Sequence, residues 1–186
     1  MTIHNPKDEY VVLVNEDDQE VGTMEKMAAH EKGVLHRAFS VFVYNSEGNV
    51  LLQRRADHKY HSAGLWANTC CSHPRPGEQL ADAASRRLRE EMGMACSLAS
   101  PFSFIYRAEL DQGLIEHELD HVFVGTCDIV PIPNPDEVSE WRYCSPSDIR
   151  AEMDQFPERF SSWFLICFDQ TIGHISELIE AGQATS

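Results

Sequence analysis

Between Gly77 and Gly93 the chain repeats apolar side chains at Leu80, Ala84, Leu88 and Met92. A spacing of four stacks them on one face of an α-helix, and Gly93 can close that helix in the left-handed conformation. The other faces carry Arg86, Arg87, Glu90 and Glu91, so the helix has one stripe to bury and must lay it against another layer. Partners are legible on both sides. Short strands are predicted over Tyr10–Asn15, Ala38–Tyr44, Val50–Arg54, Phe102–Ala108, Ile115–Cys127 and Val138–Cys144. Asn45–Asn49 reads as a turn that folds Val50–Arg54 back on Ala38–Tyr44 as a hairpin. A helical turn is predicted over Glu25–Glu31, and helices over Pro146–Met153 and Ser162–Ala181. Strands with helices between and after them imply an α/β (α+β) arrangement, a mixed sheet sandwiched between helices, in one domain over residues 1–186.

Charge narrows what such a domain can bind. Thirty acidic residues face fifteen basic ones, for a net −15. Nucleic acid and anionic membrane surfaces are therefore expected to be excluded as partners. The carboxylates serve solubility or hold cations. The polar stretch Met1–Tyr10 lacks the apolar run of a signal peptide, and the apolar run at Trp163–Phe168 is far short of the ~20 residues of a membrane helix. Six cysteines, two of them adjacent and none in a CxxC pair, suggest neither a disulfide framework nor a zinc knuckle. A cytoplasmic protein with reduced thiols, acting as a monomer, is the expectation.

Ile115–Val124 (IEHELDHVFV) as a strand puts Glu116, Glu118 and Asp120 on one side. Facing solvent, they need nothing further. Facing inward, they need a cation or a shared proton. Three histidines, His30, His36 and His73, together with two alternating glutamates would make a closed nitrogen and oxygen site for a divalent metal.

Ser72–Met94 reads SHPRPGEQLADAASRRLREEMGM. It resembles the Nudix box, with Glu78, Arg86, Leu88, Glu90, Glu91, Gly93 and Met94 in register. Ser72 replaces the first glycine, and Arg87 replaces the glutamate beside the arginine. EKMAAH at Glu25–His30, LHRAFS at Leu35–Ser40, WANTCCSHP at Trp66–Pro74, EHE at Glu116–Glu118 and FSSW at Phe160–Trp163 flank it. Taken together, these motifs resemble the type 1 isopentenyl-diphosphate delta-isomerases, a Nudix-fold family. The resemblance runs from Tyr10 to Cys167, with the Nudix-type core at about residues 34–168.

The resemblance implies an isomerase of isoprenoid biosynthesis that interconverts isopentenyl and dimethylallyl diphosphates. It assigns His30, His36, His73, Glu116 and Glu118 to a Mn²⁺, Mg²⁺ or Zn²⁺ site, and Glu91 to a Mg²⁺ that arrives with the diphosphate. Lys26, Arg55, Lys59 and Arg87 match diphosphate-binding positions. Cys71 and Glu118 match the acid/base pair, Tyr106 can hydrogen-bond Glu118, and Trp163 can face a carbocation. Arg87 removes an acid that a hydrolytic relative uses for metal and supplies a bidentate phosphate donor instead. A Nudix diphosphate hydrolase and a non-catalytic metal- or nucleotide-binding domain are the alternatives.

Overall fold

Two long strands run parallel through the middle of the molecule: β3 (His36–Tyr44) and β8 (Ile115–Thr126). They pair from His36↔Glu118 to Tyr44↔Thr126. This computed structural model describes residues 9–59 and 61–184, and side chains as far as Ile179. The ends of the expected 1–186 domain, and most of the polar N-terminal stretch, lie outside the described residues.

The rest of the mixed sheet grows from that pair. On one side β7 (Ala99–Glu109) runs antiparallel to β8. On the other, β1 (Tyr10–Val14) contacts β3 and carries β2 (Glu20–Glu25). The short β6 (Cys70–Ser72) pairs with β3, whereas β4 (Val50–Arg55) pairs with β5 (Trp66–Ala67) and β9 (Val138–Cys144). Among the described residues there are also four α-helices: α1 (Lys26–Lys32), α2 (Leu80–Met92), α3 (Pro146–Gln155) and α4 (Ser162–Ala184).

Alternation along the strands makes two cores, one on each face. Phe42, Tyr44, Val122 and Val124 pack against α3 and α4 through Ile149, Trp163, Phe164 and Phe168. Phe39, Val41, Val43 and Phe123 pack against α2 through Ala84, Leu88 and Met92. The predicted stripe of α2 is therefore the buried one. The helix starts later than expected, at Leu80, because Gly77 stands in a turn at φ +79°. Gly93 closes it at φ +65°, and a side chain there would meet the Ile132 carbonyl at 2.6 Å.

The expected hairpin survives only at its first pair, Tyr44↔Val50. Beyond it β3 and β4 part, and Thr69 and Asn68 fill the gap. Thr69 Oγ1 accepts from the Val43 N–H at 2.8 Å and donates to the Leu51 carbonyl at 2.8 Å. The Asn68 amide donates to the Val41 and Cys70 carbonyls. Side chains thus replace the ladder bonds, because buried backbone groups need partners. Strands β2, β5 and β6 carried no readable pattern. β2 is polar and largely exposed, and the other two are two and three residues long.

Thr69→Val keeps the shape but leaves a buried donor and a buried acceptor unpaired. At about 1–3 kcal/mol per group, urea unfolding should show a loss of about 2–6 kcal/mol.

Candidate active site and metal centre

The strand register assembles one row of the site. His36, Glu118 and Tyr106 lie directly opposite one another on three adjacent strands, so their side chains leave the sheet on the same face. Glu25 caps α1, accepting from the Met27 and Ala28 N–H groups, which fixes Lys26 and His30 just beyond it. His73 arrives from the end of β6.

His30, His36, His73 and Glu118 each offer a ligand atom, and the four atoms lie within 4.8 Å of one another. The rings of His30 and His36 place Nδ1 on the Lys26 and Val34 carbonyls, at 2.7 and 2.8 Å. A carbonyl can only accept, so Nδ1 carries the proton and Nε2 keeps its lone pair, the usual preparation of a metal-binding imidazole. His36 Nε2 is buried without a hydrogen bond and lies 3.4 Å from Glu118 Oε1. His73 Nε2 lies 3.0 Å from the same oxygen. Burial drives His73 down to about 3, so its ring is neutral and able to coordinate. This donor set fits a divalent ion.

The inward-facing reading of Glu116, Glu118 and Asp120 is the one found, all three being buried. They do not share a charge state. Burial opposes ionisation of Glu118, but the neighbouring His36 ring and the His73 hydrogen bond outweigh it and hold its carboxyl well below the ordinary range. Burial and the Glu118 charge push Glu116 well up, and push Asp120 up to about 8. Glu116 stands beside the four-residue group and is joined to it through Tyr106, whose hydroxyl lies 2.7 Å from Glu118 and 3.0 Å from Glu116. Ser40 donates to Asp120 at 2.7 Å.

One cleft gathers the other expected residues. Lys26, Arg55, Lys59, Cys71, His73, Arg87, Tyr106, Glu116, Glu118 and Trp163 all line it. The two adjacent cysteines separate by strand alternation. Cys70 packs into the α2 core, and Cys71, paired with Ser40, faces the cleft. Burial pushes the Cys71 thiol up to about 12 against the pull of Arg55, so it rests as a thiol, 3.8 Å from an Arg55 nitrogen. Trp163 is held by Asn68, whose Oδ1 accepts from the indole N–H at 2.9 Å. Arg55 lies over the ring at 5.2 Å.

Arg87 pairs with Glu90 at 2.9 Å, with Glu137 at 3.2 Å and with Glu91. Glu91, also bonded to Gln53 at 3.0 Å, is buried. Lys59 pairs with Glu137. The Nε groups of Arg55 and Arg87 are buried donors without an acceptor. Sequence reasoning missed four contributors: His61, which lines the cleft edge-on to Trp163 at 6.1 Å, Asn68, Ser40 and Glu137. They lie in loops or at isolated strand positions, where no periodicity marks them.

The NUDIX domain pattern matches residues 34–164. An isopentenyl-diphosphate Delta-isomerase of Pectobacterium atrosepticum is 56% identical over 158 residues, 85% of this chain and 88% of that one. The Aromatoleum aromaticum protein named isopentenyl-diphosphate Delta-isomerase 2 is 53% identical over 165 residues, 89% and 87% of the two chains. That of Aliivibrio fischeri strain ES114 is 47% identical over 178 residues, 91% and 98%. Among solved structures, DR0079 from Deinococcus radiodurans superimposes with a TM-score of 0.66 at 23% identity, covering 79% of this chain and 90% of its own. A MutT NUDIX hydrolase from Burkholderia pseudomallei does so at 0.59 and 17%, covering 73% and 97%. At those identities the likeness speaks for the fold.

Because an ion that binds only the folded chain stabilises it by mass action, adding Mn²⁺ or Zn²⁺ at about 100 times Kd should add about 2.7 kcal/mol. His36→Ala should abolish that gain in denaturant titrations and lower bound metal measured by elemental analysis.

Proposed function

The chain belongs to the Nudix family and, within it, to the isopentenyl-diphosphate Delta-isomerases, and on that footing we propose how its cleft interconverts isopentenyl and dimethylallyl diphosphates. The observation that carries the reading is the meeting of Cys71 and Glu118 in one cleft whose cationic wall includes Arg87. A hydrolase needs an acid at that position; a site that must keep the diphosphate intact gains from a phosphate donor there.

An unactivated alkene is a feeble base, so its protonation needs a well-placed acid and a stabilised cation. In the working form the proton that rests on the Cys71 thiol sits on Glu118 instead, and Glu118, with Tyr106 hydrogen-bonded to its carboxyl, delivers it to C4. The tertiary cation at C3 sits against the Trp163 indole, an interaction of about 2 kcal/mol or more in a desolvated site. Cys71, in that form the thiolate beside Arg55, takes the C2 proton and returns to the thiol as the double bond re-forms between C2 and C3. The thiol's raised pKa reports the dry environment, which keeps water from capturing the cation. In the reverse direction the two groups exchange roles.

His30, His36, His73 and Glu118 would hold a divalent ion, and Glu116, once ionised, would be its fifth ligand. The mixed nitrogen and oxygen donors suit Mn²⁺ or Zn²⁺. That ion, when bound, fixes Glu118 and adjusts its acidity. Glu91 serves a Mg²⁺ carried in with the diphosphate, whose oxygens meet Lys26, Arg55, Lys59 and Arg87. The working unit is a monomer with its Nudix core over about residues 34–168, acting in the cytoplasm on a small isoprenoid diphosphate. No described helix is long and apolar enough to cross a membrane.

Incubation with isopentenyl diphosphate and Mg²⁺ in deuterated water should yield the acid-labile allylic product with deuterium in its new methyl group. Unlabelled product would rule out protonation from an exchangeable group, and release of inorganic phosphate would point to hydrolysis. Cys71→Ala should cut kcat at least about 10²-fold, the usual worth of a positioned acid or base, with metal content unchanged. Arg87→Glu should raise KM about tenfold or more, as expected for losing a charged hydrogen bond of 1.5–3 kcal/mol.

A further inference from the structure

The cationic wall of the cleft is built from parts of the chain that do not touch through regular structure. Lys59 follows β4, and Arg87 lies in the middle of α2. Both are long, flexible side chains, and with Lys26 and Arg55 they crowd like charges into one cleft. Left alone, such groups repel and move apart toward water.

One carboxylate holds two of them. Glu137 Oε2 takes the Lys59 ammonium, and Glu137 Oε1 takes Arg87 Nη2 at 3.2 Å. Its side chain is 16% exposed, so little solvent screens the contacts. The backbone around it is anchored to the same two regions. The Glu137 carbonyl accepts from the Ala56 N–H at 3.0 Å, three residues before Lys59. The Asn134 N–H donates to the Glu91 carbonyl at 2.8 Å, one turn beyond Arg87 in α2, and the Glu137 N–H closes the turn on the Asn134 carbonyl at 3.0 Å. The carboxylate is therefore fixed to both elements whose cations it collects. Each cation keeps capacity free: Lys59 has further N–H groups, and Arg87 Nε is a buried donor with no acceptor.

We propose that Glu137 is a positioning residue that pre-assembles Lys59 and Arg87 as a two-cation clamp for the diphosphate of the substrate. The proposal rests on the diphosphate-isomerase reading above and adds to it a residue outside the matched motifs. Glu137 touches neither the alkene nor the acid/base pair, so its effect falls on binding. Without it, the ordering of two flexible side chains would have to occur when the diphosphate arrives, which lowers affinity.

The test measures inorganic diphosphate with Mg²⁺ binding to the full chain by calorimetry, alongside KM and kcat for isopentenyl diphosphate. Glu137→Gln should raise both Kd and KM about tenfold and leave kcat within about threefold, the pattern of lost ground-state binding. Glu137→Asp, which keeps the charge at shorter reach, should show a smaller rise. Combined with Lys59→Met, Glu137→Gln should add little, since the two act as one unit. Metal in the histidine site should stay constant. Unchanged or tighter diphosphate binding would make Glu137 a competitor of the ligand and overturn the proposal. So would a fall in kcat at constant KM, or full additivity with Lys59→Met. A wild-type chain that binds diphosphate but does not turn over isopentenyl diphosphate would refute the isomerase reading while leaving the clamp measurable.

Discussion

The parallel pairing of β3 with β8 is the constraint on which the site depends. In its register His36 stands opposite Glu118, and the antiparallel register of β7 sets Tyr106 opposite Glu118 from the other side. Because side chains alternate with period two, a slip of one residue in either pairing would turn these groups to the opposite face. The same strand then places Ser40 opposite Cys71. His36, Glu118, Tyr106 and Cys71 are thus all positioned by ladders whose own stability comes from the two apolar cores.

Charge is managed by contrast between neighbours. Three buried carboxylates on one strand cannot all ionise in a low-dielectric interior. The contacts with His36 and His73 favour the charged form of Glu118, and burial together with that charge keeps protons on Glu116 and Asp120. Across the cleft the problem has the opposite sign. Burial and the charges of Arg87 and Arg55 depress Lys26, while Glu91 and Glu137 counter the burial of Arg87 and keep it firmly charged. An acidic protein thereby presents a basic wall to a polyanionic substrate.

Much of this was legible beforehand. The helical stripe is buried on α2 at Ala84, Leu88 and Met92 and half-buried at Leu80, and Val138–Cys144 is a strand with those ends. Of the residues matched from the motifs, Lys26, Arg55, Lys59, Cys71, His73, Arg87, Tyr106, Glu116, Glu118 and Trp163 line one cleft, whereas Glu91 is buried against Arg87 and Gln53. The hairpin failed beyond its first pair because local turn chemistry predicts only the closing residues; whether the ladder continues depends on what competes for its backbone groups, here Thr69 and Asn68. Glu137 was not legible because its role lies in two ion pairs with residues 78 and 50 positions away in sequence.

By itself the sequence determined which residue types were available and which faces were apolar, since both follow from local spacing. It left open whether Glu116, Glu118 and Asp120 face water or the interior, and what distinguishes Cys70 from Cys71. Those were decided only by tertiary structure. A strand has two faces, and its pattern cannot say which one meets solvent until another layer covers it. Pairing with β3 fixed the faces of β8 and β6, and the layers packed on them buried the three acids, put Cys70 into the α2 core and left Cys71 facing the cleft.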